Sequence, residues 1–319
     1  MSIVERAAKR LEELQRAGVS MPWGAAGVSE SDSSARPEPD EGHAARAAAA
    51  PSGAVRQLER EFGPGQVRPL SKAAPVPTKE PISVTLDLEQ LERSGHLVST
   101  KNRSVLAEEF RHIKRPFLKN VRHKDARKNR SGLIMVTSAL PREGKTFCAI
   151  NLALSMAAEI DTSVLLIDAD VVRPEVLNRL GIPARKGLLD LLMEPELDLS
   201  DLVLQTNVPK FSILPAGTRN TLSTELLASE AMERFLESLT TQYPDQIVVF
   251  DGPPLLVTNE ASVLASRVGQ VMMVVHSEST PRNTVEQAFA VLEHCPVVMA
   301  VLNKAAMIEA PLGYGYYYG

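Results

Sequence analysis

The chain has 319 residues, of which 44% are hydrophobic, enough to bury the core of one large domain or two small ones. Its formal net charge of −4 gives no overall bias towards nucleic acid, and we expect no nucleic-acid partner. No run approaches the roughly 18 apolar residues of a membrane span, the N-terminus carries charges throughout, and both cysteines lie in apolar contexts. This composition predicts a soluble, reduced, cytoplasmic protein.

The first 80 residues predict two segments that precede any folded domain. Residues 1–17 place apolar side chains at approximately helical spacing among charges, which is typical of an amphipathic helix that docks on a partner or on its own domain. Residues 18–80 are rich in Ala, Pro, Ser, Gly and Glu and contain eight prolines. That composition predicts a disordered linker, with a short helix near residues 55–62.

Residues 81–130 form a separate segment with a local excess of positive charge. Between Lys101 and Arg130 there are 11 lysines and arginines against 3 aspartates and glutamates. Such a run favours a solvated or interface-forming helix, and binding to a polyanion or to acidic lipid is the alternative.

From residue 131 to residue 304 the pattern changes to short β-branched runs that alternate with helical stretches. The strand candidates are residues 133–137, 164–168, 212–215, 247–251, 271–276 and 297–302. The helix candidates are residues 146–159, 174–180, 224–240, 259–267 and 281–294, the last with Thr280 as hydroxyl cap and Pro281 as first helical residue. This alternation predicts an α/β domain with a mainly parallel sheet flanked by helices on both faces.

The segment from Ser138 to Thr146 follows a predicted strand and opens a predicted helix, which is the context of a phosphate-binding loop. Backbone N–H groups and the helix dipole favour phosphate there, while Lys145 would reach the β- and γ-phosphates and Thr146 would ligate Mg²⁺. Ala139 replaces the first glycine of the usual motif, and a small residue is compatible with the tight turn.

The end of the last predicted strand indicates which base is bound. Ala306 stands where an aspartate would read the edge of guanine, whereas Asn303 can face adenine. ATP with Mg²⁺ is therefore the expected cofactor. The candidate nucleotide-binding residues are Pro141, Arg142, Glu143, Gly144, Lys145, Thr146, Phe147 and Asn303.

Two further predicted strands end in aspartates, namely Asp168, with Asp170 just beyond it, and Asp251. Acidic side chains at the carboxyl ends of parallel strands face the ligand crevice, and Mg²⁺ prefers a few carboxylates with phosphate oxygens and water. We therefore expect Thr146 and Asp251 in the metal shell, with Asp251 bound directly or through water. Of Asp168 and Asp170, one could ligate the metal and the other accept a proton, while Arg173 would stabilise a transferring phosphate or hold a neighbouring tail.

Residues 305–319 predict a flexible tail that contains a tyrosine cluster. Four of the five tyrosines of the chain lie in its last six residues and are spaced by glycine. Such a terminus has no core to fill, so a structural role for these rings is weak. The candidate phosphate acceptors are Tyr314, Tyr316, Tyr317 and Tyr318.

Together these features resemble the bacterial tyrosine kinases, a branch of the deviant P-loop ATPases related to the Min and Par proteins. Residues 138–146 resemble the Walker A motif of that family, residues 166–174 its second aspartate motif (Walker A′) and residues 248–254 its Walker B motif. The resemblance covers residues 103–319, about two-thirds of the chain. The Walker A′ motif and the tyrosine tail are its specific elements.

The resemblance implies an ATP:protein-tyrosine phosphotransferase that phosphorylates its own tail, with transfer between neighbours in a ring-like homo-oligomer. It also favours Asp168 over Asp170 as the base. Residues 108–114 resemble the Glu-x-x-Arg-x-x-Arg oligomerisation helix of the family, with Glu108, Arg111 and Lys114 at its three positions. Lys114 lacks the bidentate fork of the arginine that it replaces.

Residues 107–120, together with the N-terminal segment and the linker, resemble the subgroup encoded with exosortase-linked exopolysaccharide genes. In that subgroup the kinase is a separate cytoplasmic chain, and its usual partner is a membrane-embedded polysaccharide chain-length regulator. The resemblance therefore implies a role in regulating exopolysaccharide biosynthesis or export, and peripheral recruitment to the inner membrane. A protein-tyrosine phosphatase is a further expected partner.

Two other functions stay open from the residues alone. A Min/Par-type positioning ATPase usually carries an extra lysine early in the loop, where this chain has Leu140. An ATP-binding regulator without catalysis would use the tail for docking or self-association. The complete set of Lys145, Thr146 and the three aspartates argues against such a regulator.

Overall fold

The structure, a computed structural model, describes residues 81–97, 104–123, 130–219 and 221–306. The predicted N-terminal helix, the linker and the tail tyrosines lie outside these residues. The predicted division of the chain at residues 17, 80, 130 and 304 stays a prediction. Among the helices of the described residues, none has the length and hydropathy that a bilayer-spanning segment needs.

The described residues alternate between strands and helices from residue 133 onward, as the sequence predicts. The strands are β1 Ser83–Val84, β2 Leu133–Ser138, β3 Ser163–Asp168, β4 Leu204–Thr206, β5 Phe211–Leu214, β6 Gln246–Asp251, β7 Gln270–His276 and β8 Val298–Asn303. The helices are α1 Leu88–Arg93, α2 Val105–Val121, α3 Lys145–Ala157, α4 Val176–Arg179, α5 Leu188–Met193, α6 Ser223–Ala228, α7 Glu230–Gln242, α8 Asn259–Arg267 and α9 Arg282–Val291. A 3₁₀ turn occupies Leu199–Asp201.

The strands form one eight-stranded sheet with the order β1-β4-β5-β3-β6-β2-β7-β8. Every neighbouring pair is parallel except β4 and β5, which are antiparallel. The predicted fold class, a mainly parallel sheet flanked by helices, is therefore confirmed. Because β3, β6 and β2 are neighbours, the segments that follow these three strands lie side by side at one edge of the sheet.

Both faces of the sheet are buried, which explains why its central strands are apolar along their whole length. On β2, Leu133 and Met135 pack into one hydrophobic core, while Ile134 and Val136 pack into the other. Helices α5 to α9 contribute to the first core, and α1 to α4 contribute to the second. The strand ends that carry the candidate site are thus fixed by two cores.

The sequence prediction missed β1, α1, β4 and α5, and it wrongly joined α6 and α7 into one helix over residues 224–240. Ser229 separates the two helices with an extended backbone (φ −72°, ψ 165°), and its hydroxyl accepts the Met232 N–H as the N-cap of α7. The apolar periodicity continues through the break because both helices bury residues in the same core. β1 and β4, with two and three residues, are too short to show an alternating pattern.

Lys114 fixes helix α2 to the rest of the domain. Its buried ammonium donates to the Ser155 carbonyl oxygen at 2.6 Å and lies 2.7 Å from Oε1 of Glu159. The hydrogen bond from Lys114 is the main reason why the pKa of Glu159 is lowered. Lys114 therefore has intramolecular partners, whereas Glu108 and Arg111 pair with each other on the exposed side of α2.

We expect Lys114→Ala to lower the free energy of unfolding by about 2 kcal/mol at neutral pH, because a buried carbonyl and a carboxylate lose their donor. The folded pKa of Glu159 lies below its ordinary value. The contribution of the ion pair is therefore present above the unfolded pKa and is lost as the pH falls through the folded pKa. Urea denaturation between neutral pH and about pH 3.5 measures both effects.

Lys119→Ala, at an exposed position of the same helix, is the matched control. It should change the free energy of unfolding by no more than about 0.5 kcal/mol. Equal losses of stability in the two variants at neutral pH would show that Lys114 does not anchor α2.

Candidate active site

The carboxyl ends of β2, β3, β6 and β8 border a common cleft at one edge of the sheet. The cleft has a volume of about 740 Å³, which is within the range of small-molecule sites. The residues that line it are Pro141, Arg142, Gly144, Lys145, Thr146, Phe147, Asp170, Val172, Arg173, Glu175, Arg179, Pro254, Val257, Thr258, Asn303 and Lys304. Except for Glu143, the predicted nucleotide-binding residues all border this cleft.

The loop between β2 and α3 has the backbone conformation of an anion-binding loop. Arg142 and Gly144 have positive φ values of 69° and 101°, and Gly144 is the N-cap of α3. An added Cβ at position 144 would lie 2.0 Å from Nδ2 of Asn303, so this position requires glycine. The first N–H groups of α3 have no acceptor within the helix, which suits them to a phosphate group.

Glu143 supports this loop from within, and its side chain is buried away from the cleft. Its carboxylate accepts the N–H of Leu140 at 2.7 Å and also the hydroxyl of Thr280. Its backbone carbonyl accepts a hydrogen bond of 2.8 Å from Nδ2 of Asn303. The segment that follows β7 and the last residue of β8 therefore hold the phosphate loop in its strained conformation.

The predicted start of the last helix differs in detail from the observed one. Thr280 was expected to cap that helix, but its hydroxyl donates to Glu143 instead. Pro281 is the N-cap of α9, and the helix begins at Arg282. The Thr280 hydroxyl thus serves the phosphate loop by donating to a buried carboxylate.

The ammonium of Lys145 lies among the aspartates that follow β3 and β6. It is 2.7 Å from Oδ2 of Asp170 and 3.7 Å from Oδ1 of Asp251. Burial lowers the pKa of Lys145, but attraction by Asp251 and Asp170 outweighs burial and leaves the pKa raised. Lys145 is therefore charged, and it offsets the repulsion between the carboxylates.

Burial also raises the pKa of two carboxyl groups in the site. The pKa of Asp251 is raised to about 6, with Lys145 opposing the shift. The pKa of Asp168 is raised well above its ordinary range by burial and by the charge of Asp251. Asp168 accepts backbone N–H groups from Val176 at 3.0 Å and from Asp170 at 3.3 Å.

The residues around Asp251 suit a magnesium ion. Both of its carboxylate oxygens are buried without a hydrogen-bond donor at bonding distance among the described residues. No group of three His, Cys, Asp or Glu in that part of the chain forms a metal site on its own. Mg²⁺ often binds through one or two carboxylates with phosphate oxygens and water, so Asp251 and Thr146 fit a magnesium–nucleotide complex.

The sequence reasoning missed several residues that border the cleft. Glu175 and Arg179 form an ion pair of 2.8 Å at its rim, one turn apart on the chain. Lys304 donates to the carbonyl of Arg142 at 2.8 Å, which is a second tether of the phosphate loop. The (i, i+4) spacing of Glu175 and Arg179 indicates an ion pair along a helix, but only the fold shows that this pair lies at the cleft.

Comparison with known proteins identifies the family. The putative tyrosine-protein kinase EpsB of Ralstonia nicotianae is 29% identical over 191 residues, which are 59% of this chain and 25% of EpsB. This chain thus spans about a quarter of the length of EpsB. The tyrosine-protein kinase CpsD of Streptococcus agalactiae is 30% identical over 190 residues, which are 58% of this chain and 81% of CpsD. The chain belongs to the bacterial tyrosine kinases.

Solved structures of the bacterial tyrosine kinases share this fold. The BceF tyrosine kinase domain has a TM-score of 0.54 and 27% identity, covering 77% of this chain and 96% of that domain. The kinase domain of Escherichia coli ETK has the same TM-score at 22% identity, covering 75% of this chain and 93% of that domain, which shows a shared fold. No family model matches the chain. The relatives and solved structures named above confirm the family that the motifs predicted.

We expect Thr280→Val to weaken the binding of a non-hydrolysable Mg²⁺–ATP analogue by about tenfold, because the buried Glu143 carboxylate loses a donor and the loop loses a restraint. Thr280→Ser retains the hydroxyl and should bind within about twofold of the unmodified protein. Isothermal titration calorimetry measures both affinities. If the valine variant binds the analogue as tightly as the serine variant, the hydrogen bond between Thr280 and Glu143 does not shape the loop.

Proposed function

We propose that the chain is an ATP:protein-tyrosine phosphotransferase that transfers the γ-phosphate of ATP to tyrosines of its own C-terminal tail. The observation that carries this proposal is the position of Lys145, 2.7 Å from Asp170 and 3.7 Å from Asp251, at the phosphate loop of a tyrosine-kinase family member. The proposed acceptors are Tyr314, Tyr316, Tyr317 and Tyr318.

On the donor side, the backbone of the phosphate loop binds the phosphates, and Lys145 moves from Asp170 to the β- and γ-phosphate oxygens. Thr146 and Asp251 would hold Mg²⁺, which would supply positive charge to those oxygens when bound. Glu143 positions the loop through its internal hydrogen bonds. The nucleotide then lies along Pro141, Arg142, Gly144 and Phe147, with the base towards Asn303.

On the acceptor side, Asp168 is the preferred base. The family resemblance favours Asp168, and Asp168 is absent from the lining of the nucleotide cleft, whereas Asp170 lines that cleft beside Lys145. The phenolic oxygen forms a bond to the γ-phosphorus, the bond from that phosphorus to the bridging oxygen breaks, ADP leaves, and the phenolic proton passes to Asp168. If Asp170 were the base, Asp168 would take the role of metal ligand.

Arg173 is proposed to stabilise the transferring phosphate. Its side chain borders the cleft, and none of the ion pairs among the described residues involves it. A guanidinium with no competing carboxylate can turn towards phosphate oxygens and bind them in a bidentate manner.

The proposed active form is a ring-like homo-oligomer in which each subunit phosphorylates the tail of its neighbour. Glu108 and Arg111 lie on the exposed side of α2 and are available to exchange their mutual ion pair for contacts across an interface. Lys114, which is buried against α3, would set the orientation of that helix. The family's oligomerisation motif, which these residues resemble, supports this arrangement.

Phosphorylation is proposed to act as a switch. Each phosphate adds about −1.5 to −2 charges, so four would place roughly −6 to −8 charges on six residues. Such a tail is repelled by the acidic site and loosens the ring. A protein-tyrosine phosphatase would restore the unmodified tail.

The proposed biological role is the regulation of exopolysaccharide biosynthesis or export. A membrane-embedded polysaccharide chain-length regulator would recruit the chain to the cytoplasmic side of the inner membrane. The support for this role is the resemblance of residues 107–120 and the N-terminal segments to the exopolysaccharide subgroup.

Intact-mass spectrometry of the full chain after incubation with Mg²⁺–ATP tests the proposed activity. We expect the mass of the chain to rise in steps of one phosphate, and digestion should place these phosphates on the peptide that contains residues 313–319. Lys145→Ala should abolish them, because the variant lacks the cation that contacts the phosphates. A variant with phenylalanine at the four tail tyrosines should keep nucleotide binding and gain no tail phosphate. Hydrolysis of ATP without any tail phosphate would reject the kinase and favour a positioning ATPase.

A further inference from the structure

The order of the strands arranges the parts of the reaction along one line at the edge of the sheet. From one side to the other, β8 ends at Asn303, β2 leads into the phosphate loop, β6 ends at Asp251 and β3 ends at Asp168. A nucleotide with its base near Asn303 therefore extends its terminal phosphate towards β6 and β3. Because the attacking and leaving oxygens lie roughly in line, the acceptor must approach from beyond β3.

A groove lies on that far side, between α4 and the segment that follows β5. Its volume is about 300 Å³, well above that of a single phenol ring. Apolar side chains of Pro174, Leu177, Ile182 and Pro215 form much of its wall. Among the described residues that line this groove, Asp168 provides the one carboxylate.

Asp168 borders the groove and is absent from the lining of the nucleotide cleft, whereas its neighbour Asp170 lines the cleft. Each Asp168 oxygen accepts one backbone hydrogen bond and so retains capacity for a further donor. The two aspartates of the Walker A′ motif thus face two different cavities, one on the donor side and one on the acceptor side.

We propose that this groove is the acceptor subsite, which takes the phenol side chain of a tyrosine and holds its hydroxyl against Asp168. This inference rests on the proposed kinase function and assigns the acceptor of that reaction its place. A phenol has an apolar ring that fits the proline and aliphatic walls and a polar end that fits a carboxylate. Serine and threonine would leave the walls unfilled.

The test fills the groove without touching the nucleotide cleft. Ala184 is exposed and lines the groove but not the cleft, so Ala184→Trp should block the acceptor and leave the donor side intact. Ile160→Trp adds the same bulk at a surface position that is 88% exposed, lies before the amino end of β3 and lines neither cavity. Each full-length variant is assayed for binding of a non-hydrolysable Mg²⁺–ATP analogue and for the rate of tail phosphorylation by mass spectrometry.

We expect Ala184→Trp to bind the analogue within about twofold of the unmodified protein while its tail is phosphorylated about 100-fold more slowly. Ile160→Trp should match the unmodified protein in both assays. Phosphorylation of N-acetyl-tyrosinamide, a free phenol acceptor, should fall in the same proportion in Ala184→Trp. If Ala184→Trp fails to bind the analogue, Asn178→Trp, which enters the groove from α4, replaces it.

A groove variant that binds the analogue and phosphorylates its tail at the unmodified rate would overturn the acceptor assignment while leaving the kinase function in place. If the unmodified protein binds and hydrolyses ATP but never phosphorylates its tail or the free phenol, the kinase function itself fails. The two failures are therefore distinguished by the unmodified protein alone.

Discussion

One buried ammonium, that of Lys145, makes the acidic edge of the sheet compatible with a folded protein. Asp168, Asp170 and Asp251 bring three carboxylates into a site that excludes water, where unpaired charges are costly. Lys145 contacts two of them, and the pKa of Asp168 and that of Asp251 are raised by burial. In the proposed mechanism ATP draws Lys145 towards its phosphates, and the carboxylates then lose that partner and need another cation. The same constraint that stabilises the fold would then couple nucleotide binding to Mg²⁺.

The topology of the sheet turns these scattered residues into a site. The phosphate loop follows β2, yet β2 lies between β6 and β7 and is separated from β3 by β6. The Walker B aspartate at the end of β6 therefore lies next to the loop, and the Walker A′ aspartates lie one strand further away, at and beyond the end of β3. The register of β3 with β6, which pairs Asp168 with Asp251, brings the two carboxyl groups to the same level of the edge.

The sequence predicted the phosphate loop, the strand-end aspartates and the parallel sheet because each follows from a local pattern. A helix N-terminus after an apolar strand, or an aspartate at the end of such a strand, has the same meaning in many folds. Contacts between distant segments carried no such signal. The hydrogen bond from Thr280 to Glu143 joins residues 137 positions apart, and Lys114 reaches across 41 positions to Ser155. From the sequence, Thr280 was predicted to cap a helix, Glu143 to bind the nucleotide and Lys114 to lie at an interface. Sequence spacing could not show their other contacts because it does not show which way a side chain turns.

In the proposed mechanism the nucleotide and the acceptor tyrosine occupy two different cavities, which has a consequence for specificity. The nucleotide cleft is lined by the loop after β2, the segments after β3 and β6 and the end of β8, whereas the groove at Asp168 is formed by α4, the residues that follow it and the segment after β5. In the proposed mechanism, a change at Ile182, which lines the groove and not the cleft, would alter which phenol is accepted while leaving Lys145 and the phosphate loop in place. Asp168 and Asp170 are the link between the two cavities, because the short turn that joins them spans the boundary. The groove residues that select the acceptor can thus differ among proteins that share this fold, while the residues proposed to bind ATP stay the same.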